Sequence, residues 1–291
     1  MLTRRHFLAS VGVAGVGLTG KALNQSELRM TDWTVIFDET WDTFNTDRWG
    51  VGFVNPEEWI PNDDASVSAE HVSITDGSCH LQIESDGTGP DGCYQGVLNT
   101  SVGGKAWHPE NGVPIKPSPP VYVEADIQLP AREGILPAFW MHPADGTWPP
   151  EIDIVELIQD GSADQRSTLQ TDVHWSRSGS PGDQDTHRHD PVAYQTTDDL
   201  TKTTNTYGCA WFPDRIEWFF NGNLIRTRAL EGSVATTLSD ATAQPFGIIF
   251  SNHVNRIGTA DLSTSWIETM RIDRVRVLQK LPGSRSTTIE F

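Results

Sequence analysis

Polar and apolar residues alternate with a period of two along most of this chain. The alternation is clearest over residues 34–37, 71–74, 80–84, 121–129, 151–157 and 168–175, and again over 206–212, 215–221, 223–228, 246–250 and 269–279. Successive side chains of an extended strand point to opposite faces, so each run predicts a half-buried β-strand. The runs are rich in β-branched and aromatic residues and are bounded by Gly, Pro, Asn or Asp. Asn221-Gly222, between two of them, predicts a tight hairpin. A helical period is almost absent, and there are no repeats or low-complexity tracts. The expectation is an all-β antiparallel sandwich, and all-β folds of this length commonly form one domain. Two long proline-rich loops, 105–120 and 176–191, are placed to rim a cleft.

The ends and the composition add limits. Arg4-Arg5 precede an apolar run over 7–18 that is too short to cross a bilayer, which predicts a twin-arginine export signal and spacer over 1–29. The folded domain is then expected over 30–280, with a patternless tail at 281–291. The protein is therefore expected outside the cell. Acidic residues number 39 against 21 basic ones, for a formal net charge of -18. Such a surface repels nucleic acid and anionic membranes, so neither is expected as a partner. It suits either a high-salt medium or an ordinary acidic secreted protein. An oxidising exterior permits one disulfide among Cys79, Cys93 and Cys209, and the pairing expected is Cys79 with Cys93, leaving Cys209 a buried thiol.

The chemistry concentrates in Glu151-Ile152-Asp153-Ile154-Val155-Glu156. On a flat strand Glu151, Asp153 and Val155 share a face and Glu156 points away. A β-bulge within Ile154-Val155 would return Glu156 to the face of Glu151 and Asp153 and leave Ile152, Ile154 and Leu157 for the core. Three carboxylates on one surface repel and raise each other's proton affinity, a cost as pure architecture; a polar, solvent-facing edge strand is the competing reading. Hydrolysis of a glycosidic bond with retention uses that cost, because it needs one ionised carboxylate and one protonated carboxylic acid. The two carboxyl groups must lie about 5 Å apart, whereas four ladder steps span about 13 Å, so strand curvature and converging side chains must close the gap. Trp140 and Trp148, just upstream, offer aromatic faces for sugar rings, although Trp140 also suits core packing. Asp185-Thr186-His187-Arg188-His189-Asp190 has the composition of a transition-metal site, yet its Gly/Pro-rich surroundings and the intervening Arg favour a solvated loop.

Taken together, these residues resemble glycoside hydrolase family 16, in its bulged E-x-D-x-x-E branch that includes laminarinases. The likeness extends to Phe37-Asp38-Glu39, Val123-Glu124-Ala125-Asp126-Ile127-Gln128-Leu129-Pro130, Pro137-Ala138-Phe139-Trp140-Met141, Tyr207-Gly208-Cys209-Ala210-Trp211 and Ile272-Asp273-Arg274-Val275-Arg276-Val277. The resemblance implies a β-jelly roll with a concave substrate cleft. It makes Glu151 the nucleophile, Glu156 the general acid and then base, and Asp153 an assisting carboxylate, with His174 near the scissile bond. Trp140, Trp148, Trp175 and Glu124 are expected at the substrate. No cofactor is expected for the chemistry. A calcium ion held by Glu39, the Gly77 carbonyl and Asp273 is one reading of the convex side, and unrelated surface acids are the other. The implied partner is a polysaccharide, bound by a monomer: β-1,3-glucan or mixed-linkage β-1,3(4)-glucan, with agar, carrageenan, an exopolysaccharide or non-catalytic glucan binding as alternatives. Asp126, Leu136, Pro150 and Asn205 stand where the pattern has Arg, Trp, Gly and His. These departures weaken the transfer of substrate preference.

Overall fold

The computed structural model describes residues 33–53, 63–101, 120–162, 165–241 and 245–280. The expected export signal, most of the loop 105–120 and the tail lie outside the described residues. Two sheets pack face to face across one main core. The outer sheet has ten strands among the described residues, and its spine is the 16-residue strand Ser265–Lys280. That strand is long enough to take two partners end to end on one side, Ser78–Asp86 and then Trp33–Glu39, while Val121–Gln128 runs along the other.

In the outer sheet the alternation is clearest in one long strand. In Ser78–Asp86, Leu81, Ile83 and Ser85 are buried while His80, Gln82 and Glu84 are half-buried. At the hairpin tip, Asn221 and Gly222 have φ of 47° and 76°, the left-handed pair that a type I′ turn requires.

The inner sheet runs in the order His187–His189, Thr168–Ser176, Glu151–Glu156, Ile135–Pro143, Phe246–Val254, Leu98–Asn99 and Gly50–Val51. Every residue of Ile135–Pro143 and Phe246–Val254 is buried. One face of these two strands enters the main core, where the Phe139 and Phe250 rings stack 4.6 Å apart. On the other face Ala138, Trp140 and Ile249 join Phe53 and Val97 in a separate cluster. A strand covered on both faces loses its period of two, which is why alternation does not reveal 135–143.

Two expectations are corrected. A ten-residue α-helix, Gly232–Ala241, follows the outer sheet. Val234 and Leu238, four residues apart, anchor it in the core, and Thr237 Oγ1 donates to the Ser176 carbonyl at 3.1 Å. Its Ser and Thr content dilutes the helical signal. The Cys79–Cys93 disulfide is also absent: all three cysteines are free and buried. Cys93 pairs in register with Ser85, six residues along the strand from Cys79. At about 3.3 Å per residue this separates the thiols far beyond disulfide reach.

Candidate active site

The ladder on both sides of Glu151–Glu156 slips where the bulge is expected. Against Thr168–Ser176 the register is Asp153 with Asp172 and then Glu156 with Gln170; against Ile135–Pro143 it shifts between Asp153 and Val155. The extra residue turns Ile152, Ile154, Val155 and Leu157 into the core and brings Glu151, Asp153 and Glu156 onto one wall of a cleft of about 670 Å³. Trp140, Trp148 and His174 line the same cleft.

Each acid has a different setting. Glu151 is held at both oxygens, by the Trp148 indole N–H at 3.0 Å to Oε2 and by His174 Nε2 at 3.4 Å from Oε1. Asp153 is buried beside Glu151 and Glu156, and that burial and those two charges push its carboxyl well above the usual range. Glu156 is also raised, by burial first, against the lowering effect of the Gln170 amide that donates to its Oε2 at 3.2 Å. Loss of solvation disfavours the charged form, so Asp153 and Glu156 hold their protons at pH values where an ordinary carboxyl is ionised.

His174 is the hub. Its Nε2 lies 3.4, 3.2 and 3.5 Å from carboxylate oxygens of Glu151, Asp153 and Asp172. Burial alone would lower its pKa, but these charges outweigh it and bring it to about 10. Its Nδ1 meets His187 Nε2 at 2.8 Å, and burial together with the neighbouring rings keeps His187 below the usual imidazole value. A cationic His174 that donates from both nitrogens, with neutral His187 accepting, satisfies this geometry. His189 completes the group, its Nδ1 2.8 Å from Asp172 Oδ2. The rings of His174 and His187 stack at 5.0 Å, and Trp148 lies 4.6 Å from His187.

His187 and His189 correct the reading of 185–190 as a solvated loop. Residues 187–189 form a strand paired to Thr168–Ser176, and their i, i+2 spacing sets both rings on the face of His174. That spacing was the available signal. Asp172, Gln170 and the cleft residues His142, His253 and Arg256 were also missed. At the opposite wall a chain of polar contacts runs from Asp63 Oδ2 to His253 Nδ1 at 2.9 Å, from His253 Nε2 to Ser251 Oγ at 3.1 Å, and from Ser251 Oγ to the Trp140 indole at 3.0 Å.

The model of the glycosyl hydrolases family 16 matches residues 121–267, half of the chain and the whole of this wall of acids. The chain belongs to glycosyl hydrolase family 16. Two curated relatives from Rhizobium meliloti (strain 1021), the endo-1,3-1,4-beta-glycanases ExsH and EglC, are each 34% identical over 100 residues. Those residues are 34% of this chain but 19% of either relative, so the match spans about a fifth of their length. The solved family 16 endo-glucanase from Bacteroides ovatus, in complex with G4G3G-2F-DNP, superposes with a TM-score of 0.66 at 21% identity, covering 83% of this chain and 99% of that one. It is similar in fold, the β-jelly roll.

Against this family 16 frame, three expected placements change. Glu124 lies in the outer sheet, buried, with Tyr122 OH donating to it at 2.9 Å and Arg276 paired to it, so it stands apart from the cleft. Trp175 follows His174 and by strand parity faces inward, packed on the core with Arg228 5.7 Å from its ring. Gly77 sits at a hairpin tip with φ of 73°, but the acids expected to join it in holding calcium are committed elsewhere. Glu39 accepts from the Trp41 amide, Trp49 Nε1 and Arg48; Asp273 accepts from Ser78 Oγ, Thr204 Oγ1 and Arg271. An arginine on each carboxylate is unlike the oxygen cage calcium needs, so these residues do not fit that ion as folded.

Proposed function

We propose that this chain is a retaining endo-glycosidase that hydrolyses β-1,3-glucan or mixed-linkage β-1,3(4)-glucan. The observation that carries the reading is the bulge that sets Glu151, Asp153 and Glu156 on one wall of the cleft with three different environments. Glu151, held by Trp148 and His174, attacks the anomeric carbon. Glu156, kept protonated by burial, gives its proton to the leaving oxygen. A glycosyl ester forms on Glu151 as the glycosidic bond breaks. In the second step Glu156, now a carboxylate, takes a proton from water, whose oxygen displaces Glu151. Asp153 keeps a proton between the two and so limits the negative charge facing them.

The substrate reading is supported by the similarity to the endo-1,3-1,4-beta-glycanases ExsH and EglC and to the Bacteroides ovatus endo-glucanase bound to G4G3G-2F-DNP. Trp148 lines the cleft where a sugar ring would lie, and Trp140, largely packed against Phe53 and His142, shapes its floor. Product analysis on laminarin, mixed-linkage glucan and agar tests it: short oligosaccharides released from the glucans are expected. Cleavage of agar alone would overturn the substrate, and hydrolysis surviving in Glu151→Gln or Glu156→Gln would overturn the mechanism. The reading extends to an enzyme exported through Arg4-Arg5 and tolerant of salt, on the strength of the -18 charge. A loss of stability as salt is removed tests the second part.

A further inference from the structure

We propose that Asp172, His174 and His189 form a binding site for one zinc-class divalent metal ion inside the cleft. His189 Nδ1 and His174 Nε2 lie 2.8 and 3.5 Å from the same Asp172 oxygen, Oδ2. The three donor atoms all fall within 4.8 Å of one another. Ligands at about 2.0–2.1 Å around a tetrahedral zinc ion are separated by about 3.3 Å, so an ion enters this triangle with small side-chain shifts. Two imidazoles and one carboxylate are the donor set of an open zinc site, while calcium and magnesium prefer oxygen alone.

The surroundings are built as a metal site requires. Asp172 Oδ1 accepts from the amides of Val173 at 2.7 Å and Asp190 at 2.9 Å, which leaves Oδ2 aimed at the two rings. His174 is oriented through its other nitrogen by His187 at 2.8 Å. Outer partners of this kind fix ligand geometry and raise affinity. Asp153 Oδ2, buried, lies 3.2 Å from the same His174 Nε2 and helps to hold that ring in place. His189, with its side chain 52% exposed, gives the ion a way in.

Metal uptake does not depend on the proposed activity, but one consequence does. An ion bound to His174 Nε2 displaces that nitrogen's proton to solvent, sits beside Glu151 Oε1, 3.4 Å from the nitrogen, and withdraws His174 from Glu151. The metal is therefore a brake on hydrolysis. Untagged protein stripped with EDTA is titrated with Co(II), followed by visible absorption, and with Zn(II) by calorimetry. One ion per chain is expected, with a tetrahedral cobalt band that zinc displaces and calcium does not. His189→Gln and Asp172→Asn, each confirmed as folded by circular dichroism, should each weaken uptake about tenfold or more. Zinc inhibition of glucan hydrolysis should relax in His189→Gln by the same factor. No saturable uptake, or uptake unchanged in both variants, overturns the site. Uptake without any hydrolase activity upholds the site and removes the functional reading instead.

Discussion

The indole of Trp218 donates a 2.8 Å hydrogen bond to the backbone carbonyl of Asp153. Trp218 belongs to the outer-sheet strand Arg215–Phe220 and is fully buried, with Arg226 4.2 Å from its ring. Asp153 is the last residue of the inner strand before its register breaks. A bulge disrupts local ladder pairing, and a buried carbonyl without a partner is costly. The outer sheet thus holds the backbone at the point that decides where Glu156 faces.

Trp218→Phe keeps the ring in the core and removes the donor. Leaving a buried acceptor unsatisfied costs about 1–3 kcal/mol, so the urea midpoint should fall accordingly. Because the bulge aims Glu156, kcat should fall more than KM rises. An unchanged kcat in a destabilised variant would confine Trp218 to packing.

The pH profile follows from Glu156 and Gln170. Burial raises the Glu156 pKa, and the Gln170 amide partly offsets the rise by stabilising the carboxylate. Glu156 must be protonated to assist departure of the leaving oxygen, so activity declines as pH rises through its pKa. Gln170→Leu removes the group that lowers that pKa, so the alkaline limb of kcat/KM, measured with EDTA present, should move to higher pH. A limb that stays in place or moves to lower pH would assign it to another group.

Much of this arrangement was legible in the sequence, for reasons that also explain what was not. A period of two reports burial on one face, so Ser78–Asp86 could be read directly, and the parity of Glu151 and Glu156 demanded a bulge. The same rule fails for Ile135–Pro143, covered on both faces. Parity also separates His174 from Trp175: adjacent strand residues cannot both face the cleft. Glu124 was misplaced because a motif fixes a strand but says nothing of which sheet carries it. His187 and His189 needed knowledge of a long-range pairing, since only the partner strand converts their loop into a wall of the site.

The thiols offer a direct check on the disulfide correction. Burial raises the Cys79 and Cys93 thiols to about 12, and Cys209 is raised further by the same cause. The thiolate is the reactive form, so a thiol reagent at neutral pH should find no reactive cysteine in the folded protein and three after denaturation. Reductant should leave the melting temperature unchanged. One reactive thiol after denaturation without reductant would restore the disulfide.

The polar chain ending at Trp140 makes the last prediction. Asp63 is buried, which would raise its pKa, yet its hydrogen bond with His253, the charge of that ring and the amides of Val254 and Ala65 outweigh burial and leave it below the ordinary aspartate range. A carboxyl whose pKa is lower in the folded state contributes stability above its unfolded value and loses it as pH falls through the folded one. Asp63→Asn removes that contribution. The melting temperature of the variant should therefore lie below wild type at neutral pH, and the gap should close as pH falls from about 4, the ordinary carboxyl range. Because His253 orients Ser251 and Ser251 receives the Trp140 indole, the variant should also raise KM for glucan more than it lowers kcat. A gap constant down to acid pH would mean that Asp63 acts through its hydrogen bonds alone and its charge contributes nothing.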